Sequence, residues 1–378
     1  MEQIQMVDLK RQYSHIKEEV DLAIQQVIDT ATFINGPEVQ HFATELSAYL
    51  GVKHVIPCAN GTDALQIALM ALGLKPGDEV ITPSFTYIAT VEVVALLNLK
   101  PVFVDVDPDT FTINIDSLKN AITPNTKAII PVHLYGQAAN MEDIMAVAEA
   151  HQIPIVEDNA QAIGGNYTFS DGRTVKTGAM GKIGCTSFFP SKNLGCYGDG
   201  GAIFTNEDAL AEQIKMIANH GQKVRYYHEV VGCNSRLDSI QAAVLRIKLR
   251  KLDEYCDNRR KAADFYDDAF ANHPNIQTPF RAAYAKHVFH QYTLQLNGIN
   301  RDLVQEKLAA KGIPSMIYYP VPCHKQNMFK ALGGSSFELK TTDYLQDRVI
   351  SLPIHTELTI EELTFITENV LQIINELS

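Results

Sequence analysis

One lysine stands in a turn that could do chemistry. Lys192 follows an apolar run in Ser187-Phe188-Phe189-Pro190-Ser191-Lys192-Asn193-Leu194-Gly195, and Gly198, Gly200 and Gly201 close the segment. Glycines there let a ligand approach the backbone closely. Such a lysine serves either as a nucleophile and proton carrier or as a solvated side chain, and the first role requires partners. Ile155-Val156-Glu157-Asp158-Asn159-Ala160-Gln161 supplies one, since it ends an apolar strand on two acids. The carboxyl ends of strands are where α/β sheets hold ligands. The alternative is that Glu157 or Asp158 caps a following helix. A third segment, Cys58-Ala59-Asn60-Gly61-Thr62-Asp63-Ala64-Leu65, runs from a strand into a helix through Gly61. Its first N–H groups and the Thr62 hydroxyl suit a phosphate, with Asp63 opposing unless it points away, and the other reading is an ordinary Asn or Thr cap. No P-loop, GxGxxG, HExxH or GxSxG motif competes, and no metal site is expected beyond a weak His287/His290 pair.

These residues need a scaffold, and the pattern of apolar runs supplies it. Val52–Pro57, Glu79–Thr82, Val102–Val106, Lys127–Val132, Ile153–Glu157, Cys185–Phe189 and Ala202–Thr205 alternate with helical stretches, which predicts an α/β domain with a mostly parallel sheet. An Asp171-Gly172 turn between Asn166 and Lys176 predicts an inserted hairpin. An amphipathic helix over about Gln12–Ile28 and a second one opening at Pro37 precede the sheet. After Thr205 come a helix, a polar loop over His220–Asn234, and a long helical pattern from Leu237 to about Ala271. The rest reads as a smaller α+β unit, with strands near His290–Leu296 and Ser315–Tyr319 and helices at Arg301–Lys311 and Thr359–Leu377. The division is expected at 240, giving a large domain over 1–240 and a small one over 241–378.

Length and charge set the outer bounds. The chain has 378 residues, 46% of them apolar, and 32 Lys and Arg against 44 Asp and Glu leave a net charge of −12. A chain of that size buries a substantial core. Without a basic run it is a poor partner for nucleic acid or anionic membrane. Six cysteines without a CxxC pair read as free thiols, and no apolar run approaches the ~20 residues of a membrane span, so a cytoplasmic small-molecule enzyme is expected.

Taken in order, the Asn60-Gly61-Thr62 turn, Pro83-Ser84-Phe85-Thr86-Tyr87, Glu157-Asp158-Asn159-Ala160-Gln161 and Ser187-Phe188-Phe189-Pro190-Ser191-Lys192 resemble one family. It is the DegT/DnrJ/EryC1/StrS family of pyridoxal-phosphate-dependent nucleotide-sugar aminotransferases, which have the aspartate aminotransferase fold. The likeness runs from about Asp8 to the last helix. It implies fold type I, with a seven-stranded large-domain sheet and a smaller C-terminal domain, and pyridoxal 5'-phosphate as cofactor. Lys192 would form the internal Schiff base and then carry the proton, while Asp158 would face the pyridine nitrogen. Gln161 would bond the phenolic oxygen, Gly61, Thr62 and Ser187 the phosphate, and Phe85 would lie against the ring. Asn234, in the loop before the long helix, would complete the phosphate site of a neighbouring subunit, which implies a homodimer with shared sites. Its other reading is a cap of the helix starting near Leu237.

The resemblance also implies a substrate class. L-Glutamate would give its amino group to a keto group on a nucleotide-diphosphate sugar, for cell-surface polysaccharide or deoxyaminosugar biosynthesis. Lysine at 192 implies transamination, because members with histidine there remove a hydroxyl instead. The Asn35-Gly36-Pro37-Glu38-Val39 opening resembles members that aminate C3 of a UDP-2-acetamido-3-keto-glucuronate, with dTDP-3-keto-6-deoxyhexoses next. Candidate sugar contacts are Asn35, Tyr87, His133, Arg236 from the partner, Tyr318, Tyr319 and His324. The loop carrying Lys223, Arg225, Tyr226, Tyr227 and His228 suits a diphosphate. The alternatives are a catalytically silent regulatory or binding protein on the same fold, or another enzyme of that fold such as a lyase.

Overall fold

β-Branched and apolar runs form strands where both faces of a sheet are covered. The computed structural model describes residues 3–333 and 336–378. In it the runs become β1 (His54–Cys58), β2 (Glu79–Pro83), β3 (Lys100–Val104), β4 (Thr126–Ile129) and β5 (Val156–Asp158). The hairpin strands β6 (Asn166–Thr168) and β7 (Thr174–Lys176) follow, then β8 (Ile183–Ser187) and β9 (Gly201–Thr205). Two ladders, β3-β2-β4 and β1-β9-β8-β5, are joined through bridges from Ile129 to Ile155 and from Val132 to Asp158. The result is one sheet in the order β3-β2-β4-β5-β8-β9-β1. Only β9 runs against its neighbours, pairing antiparallel with both β8 and β1. The mostly parallel seven-stranded sheet expected from the sequence is therefore present.

Helices Gly61–Ala71, Ala89–Leu96 and Asp208–Ala218 cover one face with Leu65, Val94 and Ile214. Helices Pro37–Leu50, Met141–Ala150 and Ser239–Leu249 cover the other with Phe42, Ile144 and Leu245. Beyond the sheet, β10 (Gln222–Val224) and β11 (Tyr227–His228) make an exposed hairpin where a polar loop was expected. β12 (Ile276–Gln277), β14 (Tyr292–Leu296) and β15 (Val349–Leu352) form the small sheet, while β13 (Ala285–Lys286) pairs with β6.

Three expectations need correction. The long pattern from Leu237 is two helices, Ser239–Leu249 and Leu252–Phe270, interrupted at Arg250 and Lys251. Ser315–Tyr319 is no strand, and only Met316 bridges to Ser351. A division at 240 would also cut helix Ser239–Leu249 from the core in which it is buried. The change of core falls within Leu252–Phe270: Leu252 and Cys256 pack with the large sheet, Tyr266 and Phe270 with the small one. Among the described residues no helix is long and apolar enough to cross a membrane.

Candidate active site

β1, β2, β5 and β8 share one direction, so their carboxyl ends deliver Gly61, the Ser84–Tyr87 segment, Asp158 and Ser187 to one rim. Lys192 follows β8 in a turn closed by its own N–H donating to the Phe189 carbonyl at 2.8 Å. Asn193 ties that turn down by donating to the Val288 carbonyl at 3.0 Å. The nearby glycines serve packing as well as access. A Cβ on Gly195 would stand 2.3 Å from the Pro190 carbonyl oxygen, and one on Gly201 2.4 Å from the Asn60 backbone.

Asp158 is 5% exposed. Its Oδ2 accepts from the Thr90 hydroxyl at 2.8 Å and its Oδ1 from the Ala160 N–H at 3.1 Å. Burial pushes the carboxyl up, opposed by those two bonds and by the Lys192 charge. Burial pushes the Lys192 amine down to about 8, opposed in turn by Asp158. Each charge thus opposes the other's burial, although 34 positions separate the two groups (192 − 158). Residues 160–164 form a turn, so neither acid of this segment caps a helix. Glu157 points into the protein instead, where it accepts from the Gly178 and Met180 N–H groups at 2.8 and 2.6 Å.

The Asn60 side chain does cap the next helix, accepting from the Asp63 N–H at 2.8 Å. Helix geometry leaves the N–H groups of Gly61 and Thr62 without intrahelical acceptors. A Cβ on Gly61 would lie 2.7 Å from the Ser187 Cβ, so these two residues touch and the cradle is closed to any larger side chain. The Ser187 hydroxyl accepts from the Phe189 N–H at 3.3 Å and keeps its proton to donate. Gln161 is held at both ends. Its Oε1 accepts from the Tyr135 N–H at 2.7 Å, and its Nε2 donates to the Tyr319 hydroxyl at 2.9 Å with one hydrogen to spare. Tyr318 adjoins this group and its carbonyl accepts from the Tyr135 hydroxyl.

Several candidates lie elsewhere. Phe85 is 0% exposed and stacks on Phe111 at 6.1 Å, so it offers no face to a ligand. The aromatic open on this rim is Tyr87, which is 57% exposed with its ring 6.2 Å from that of Tyr319. His133 is completely buried, with Nε2 2.8 Å from Glu157 Oε2 and Nδ1 accepting from the Ala139 N–H at 3.1 Å. His324 is buried too, its Nδ1 2.7 Å from the Ser84 hydroxyl, which also accepts the His324 N–H at 3.0 Å. Both histidines tie elements together.

Asn35, Asn234 and Arg236 form a separate group. The Ser239 N–H donates to the Phe33 carbonyl at 2.9 Å and Ile34 pairs with Asp238, which places Asn35 beside the 234–236 loop. Asn234 is exposed and pairs its backbone with Asn219, while Asp238 occupies the cap position of the helix, so the cap reading of Asn234 is excluded. Among the described residues no hydrogen bond joins this group to Lys192, Asp158 or Gly61. Sequence reasoning missed Thr90, whose only signal is its spacing four residues after Thr86 at a helix start. It also missed His290, which is 5% exposed and which burial, with the Lys192 and Arg259 charges, keeps neutral. Among the described residues no cluster of His, Cys, Asp and Glu could hold a metal ion.

The cradle, the buried acid and the amine together fit pyridoxal phosphate: N–H groups and hydroxyls for its phosphate, a carboxylate for its ring N–H, and an amine for its aldehyde. Comparison with known proteins agrees. A UDP-2-acetamido-2-deoxy-3-oxo-D-glucuronate aminotransferase of Pseudomonas aeruginosa is 48% identical, over 94% of this chain and 96% of its own. A pleiotropic regulatory protein of Geobacillus stearothermophilus is 44% identical over 97% of each chain. The crystal structure of S. venezuelae DesV in complex with a ketimine intermediate superposes with a TM-score of 0.93 at 39% identity, covering 99% of both chains. The profile of the DegT/DnrJ/EryC1/StrS aminotransferase family matches residues 14–371, and the chain belongs to that family.

Proposed function

We propose that this chain is a pyridoxal-phosphate aminotransferase that moves an amino group from L-glutamate to the 3-keto group of a UDP-linked 2-acetamido sugar acid. The observation that carries this reading is that one sheet rim holds the Lys192 turn, the buried Asp158 carboxylate and the Gly61–Ser187 cradle. Pyridoxal phosphate supplies the electron sink when bound. Lys192, with its amine lowered to about 8, attaches the cofactor through its amine and afterwards holds or returns the proton. Asp158 keeps the ring nitrogen protonated, Gln161 bonds the ring hydroxyl with its spare hydrogen, and Tyr87 covers the ring face in place of Phe85. Gly61, Thr62 and Ser187 hold the phosphate.

The reading includes a homodimer. Phe33, Ile34, Tyr226, Tyr227 and Val231 expose 45 to 85% of their surface around the Asn35 and Asn234 group. Exposed apolar patches of this kind mark interaction sites. A symmetric contact there would carry Asn35, Asn234 and Arg236 into a neighbour's site. The six cysteines are unpaired, which suits a reducing compartment such as the cytoplasm. The choice of sugar rests on the 48% identical relative. It is tested by loading the protein with pyridoxamine phosphate and offering UDP- and dTDP-keto-sugars. A UDP-3-keto-2-acetamido sugar acid should restore the visible absorbance fastest, and faster restoration by a dTDP sugar would reject that substrate.

A further inference from the structure

A glutamine amide can face either way unless a neighbour decides which end donates. For Gln161 that neighbour is Tyr135, whose backbone N–H can only donate and meets Gln161 Oε1 at 2.7 Å. The Nε2 end is thereby turned to the Tyr319 hydroxyl at 2.9 Å, with its second hydrogen left for the cofactor. Tyr135 does this from a left-handed backbone, φ 58° and ψ 3°, which bulky residues rarely adopt. Such a conformation persists where surrounding bonds hold it. Here the Tyr135 carbonyl accepts from the Gln291 N–H at 3.2 Å, and the hydroxyl donates to the Tyr318 carbonyl. The Gly136 carbonyl accepts from the Val288 N–H at 2.9 Å, and a Cβ on Gly136 would stand 2.8 Å from the His290 nitrogen. The turn is thus pressed against the strand that leads into the small sheet. The Tyr135 ring is buried, edge-on to Phe111 at 5.3 Å, and burial pushes its hydroxyl up, so the group keeps its proton and donates.

These bonds close a circuit. It runs from the Tyr135 N–H through the Gln161 amide to the Tyr319 hydroxyl, along the chain to Tyr318, and from that carbonyl back to the Tyr135 hydroxyl. Gln161 is its cofactor side, and the candidate sugar contacts Tyr318 and Tyr319 are the other. We propose that Tyr135 is a positioning residue that couples the two: its backbone sets the face Gln161 turns to the cofactor, and its hydroxyl holds the Tyr318-Tyr319 wall against which the keto-sugar lies. The proposal rests on the aminotransferase reading above and adds to it the residue through which the sugar wall and the cofactor are held in register. Because separate groups of Tyr135 make the two contacts, one substitution can part them.

Tyr135→Phe removes the hydroxyl and keeps both the ring and the N–H that orients Gln161. Tyr319→Phe opens the circuit at its opposite end. Each variant and the double variant are checked for full cofactor content and then assayed at saturating L-glutamate with a UDP-3-keto-2-acetamido sugar acid as acceptor. In Tyr135→Phe the KM of the keto-sugar should rise about fivefold or more with kcat within about twofold of wild type, the pattern of lost binding with the chemistry intact. In the Tyr319→Phe background the same change should add less than about twofold, because contacts within one network are not additive. An unchanged KM, a loss in kcat as large as the rise in KM, or effects that multiply in the double variant overturns the proposal. Failure of the aminotransferase reading shows separately, as a loaded wild-type protein whose absorbance L-glutamate leaves unchanged.

Discussion

Lys192 and Asp158 are each pushed toward the neutral form by burial, and each holds the other charged. The amine is lowered to about 8 rather than further because Asp158 opposes its desolvation. Only the neutral amine attacks an aldehyde, and the neutral fraction rises with pH below that value. Uptake of pyridoxal phosphate by the apoprotein should therefore accelerate roughly tenfold per pH unit up to about pH 8 and level off above it. Stopped-flow absorbance checks this, and a rate flat from pH 6 to 8 would show that the amine is not what titrates. Asp158→Asn keeps the shape and removes the charge that, in the proposed reading, would hold the ring proton. It should slow the L-glutamate half-reaction by about 100-fold or more, the scale of one lost contact to developing charge. Thr90→Val deletes the donor 2.8 Å from Asp158 Oδ2 without opening a cavity, so a smaller loss of about tenfold is expected in the same assay. Thr90 was illegible in the sequence because its partner lies 68 positions away and a threonine at a helix start has many uses.

At the scale of elements, the sequence was most readable where a strand ends in a polar turn. The strands that bear Asp158 and Ser187 and the one that leads into Gly61 were all placed, because alternating apolar runs and punctuating glycines are local signals. What failed was the direction of side chains past a strand end. In Ser84-Phe85-Thr86-Tyr87, Phe85 turns into the core and Tyr87 outward, and nothing in the letters separates the two aromatics. The difference is measurable. Phe85→Ala should cost about 3 to 5 kcal/mol of stability by denaturant titration, as large aromatic core deletions do. Tyr87→Ala should leave stability within about 0.5 kcal/mol, as surface changes do, and weaken the retention of pyridoxal phosphate in dialysis. The reverse pattern would restore Phe85 to the ring. His133 and His324 were ambiguous for a related reason. A histidine at a strand end or turn carries the same signature whether it binds a sugar or, as here, pins Glu157 or Ser84.

At the scale of the molecule, the candidate residues fall into two groups, and the Ser235 hydroxyl lies between them, accepting from the Ala59 N–H at 3.0 Å. Lys192, Asp158, Gln161 and Gly61 share the sheet rim, while Asn35, Asn234 and Arg236 share an exposed edge beside the apolar Phe33, Ile34 and Val231. A symmetric dimer would unite the two groups across the interface. If so, Lys192→Ala and Asn234→Ala homodimers, each impaired alone, should recover about a quarter of wild-type activity when refolded as an equal mixture, since half the dimers then hold one intact site. No recovery would mean that each chain completes its own site. Both groups serve a single claim, that the buried acid and amine operate a cofactor that takes amino groups. The visible absorbance of the pyridoxal-phosphate-loaded protein, followed as L-glutamate is added with no keto-sugar present, tests it most directly. The visible band should disappear with about one 2-oxoglutarate released per chain, and Lys192→Ala should abolish the change. A wild-type protein that holds its cofactor and keeps its band unchanged in L-glutamate would contradict the claim.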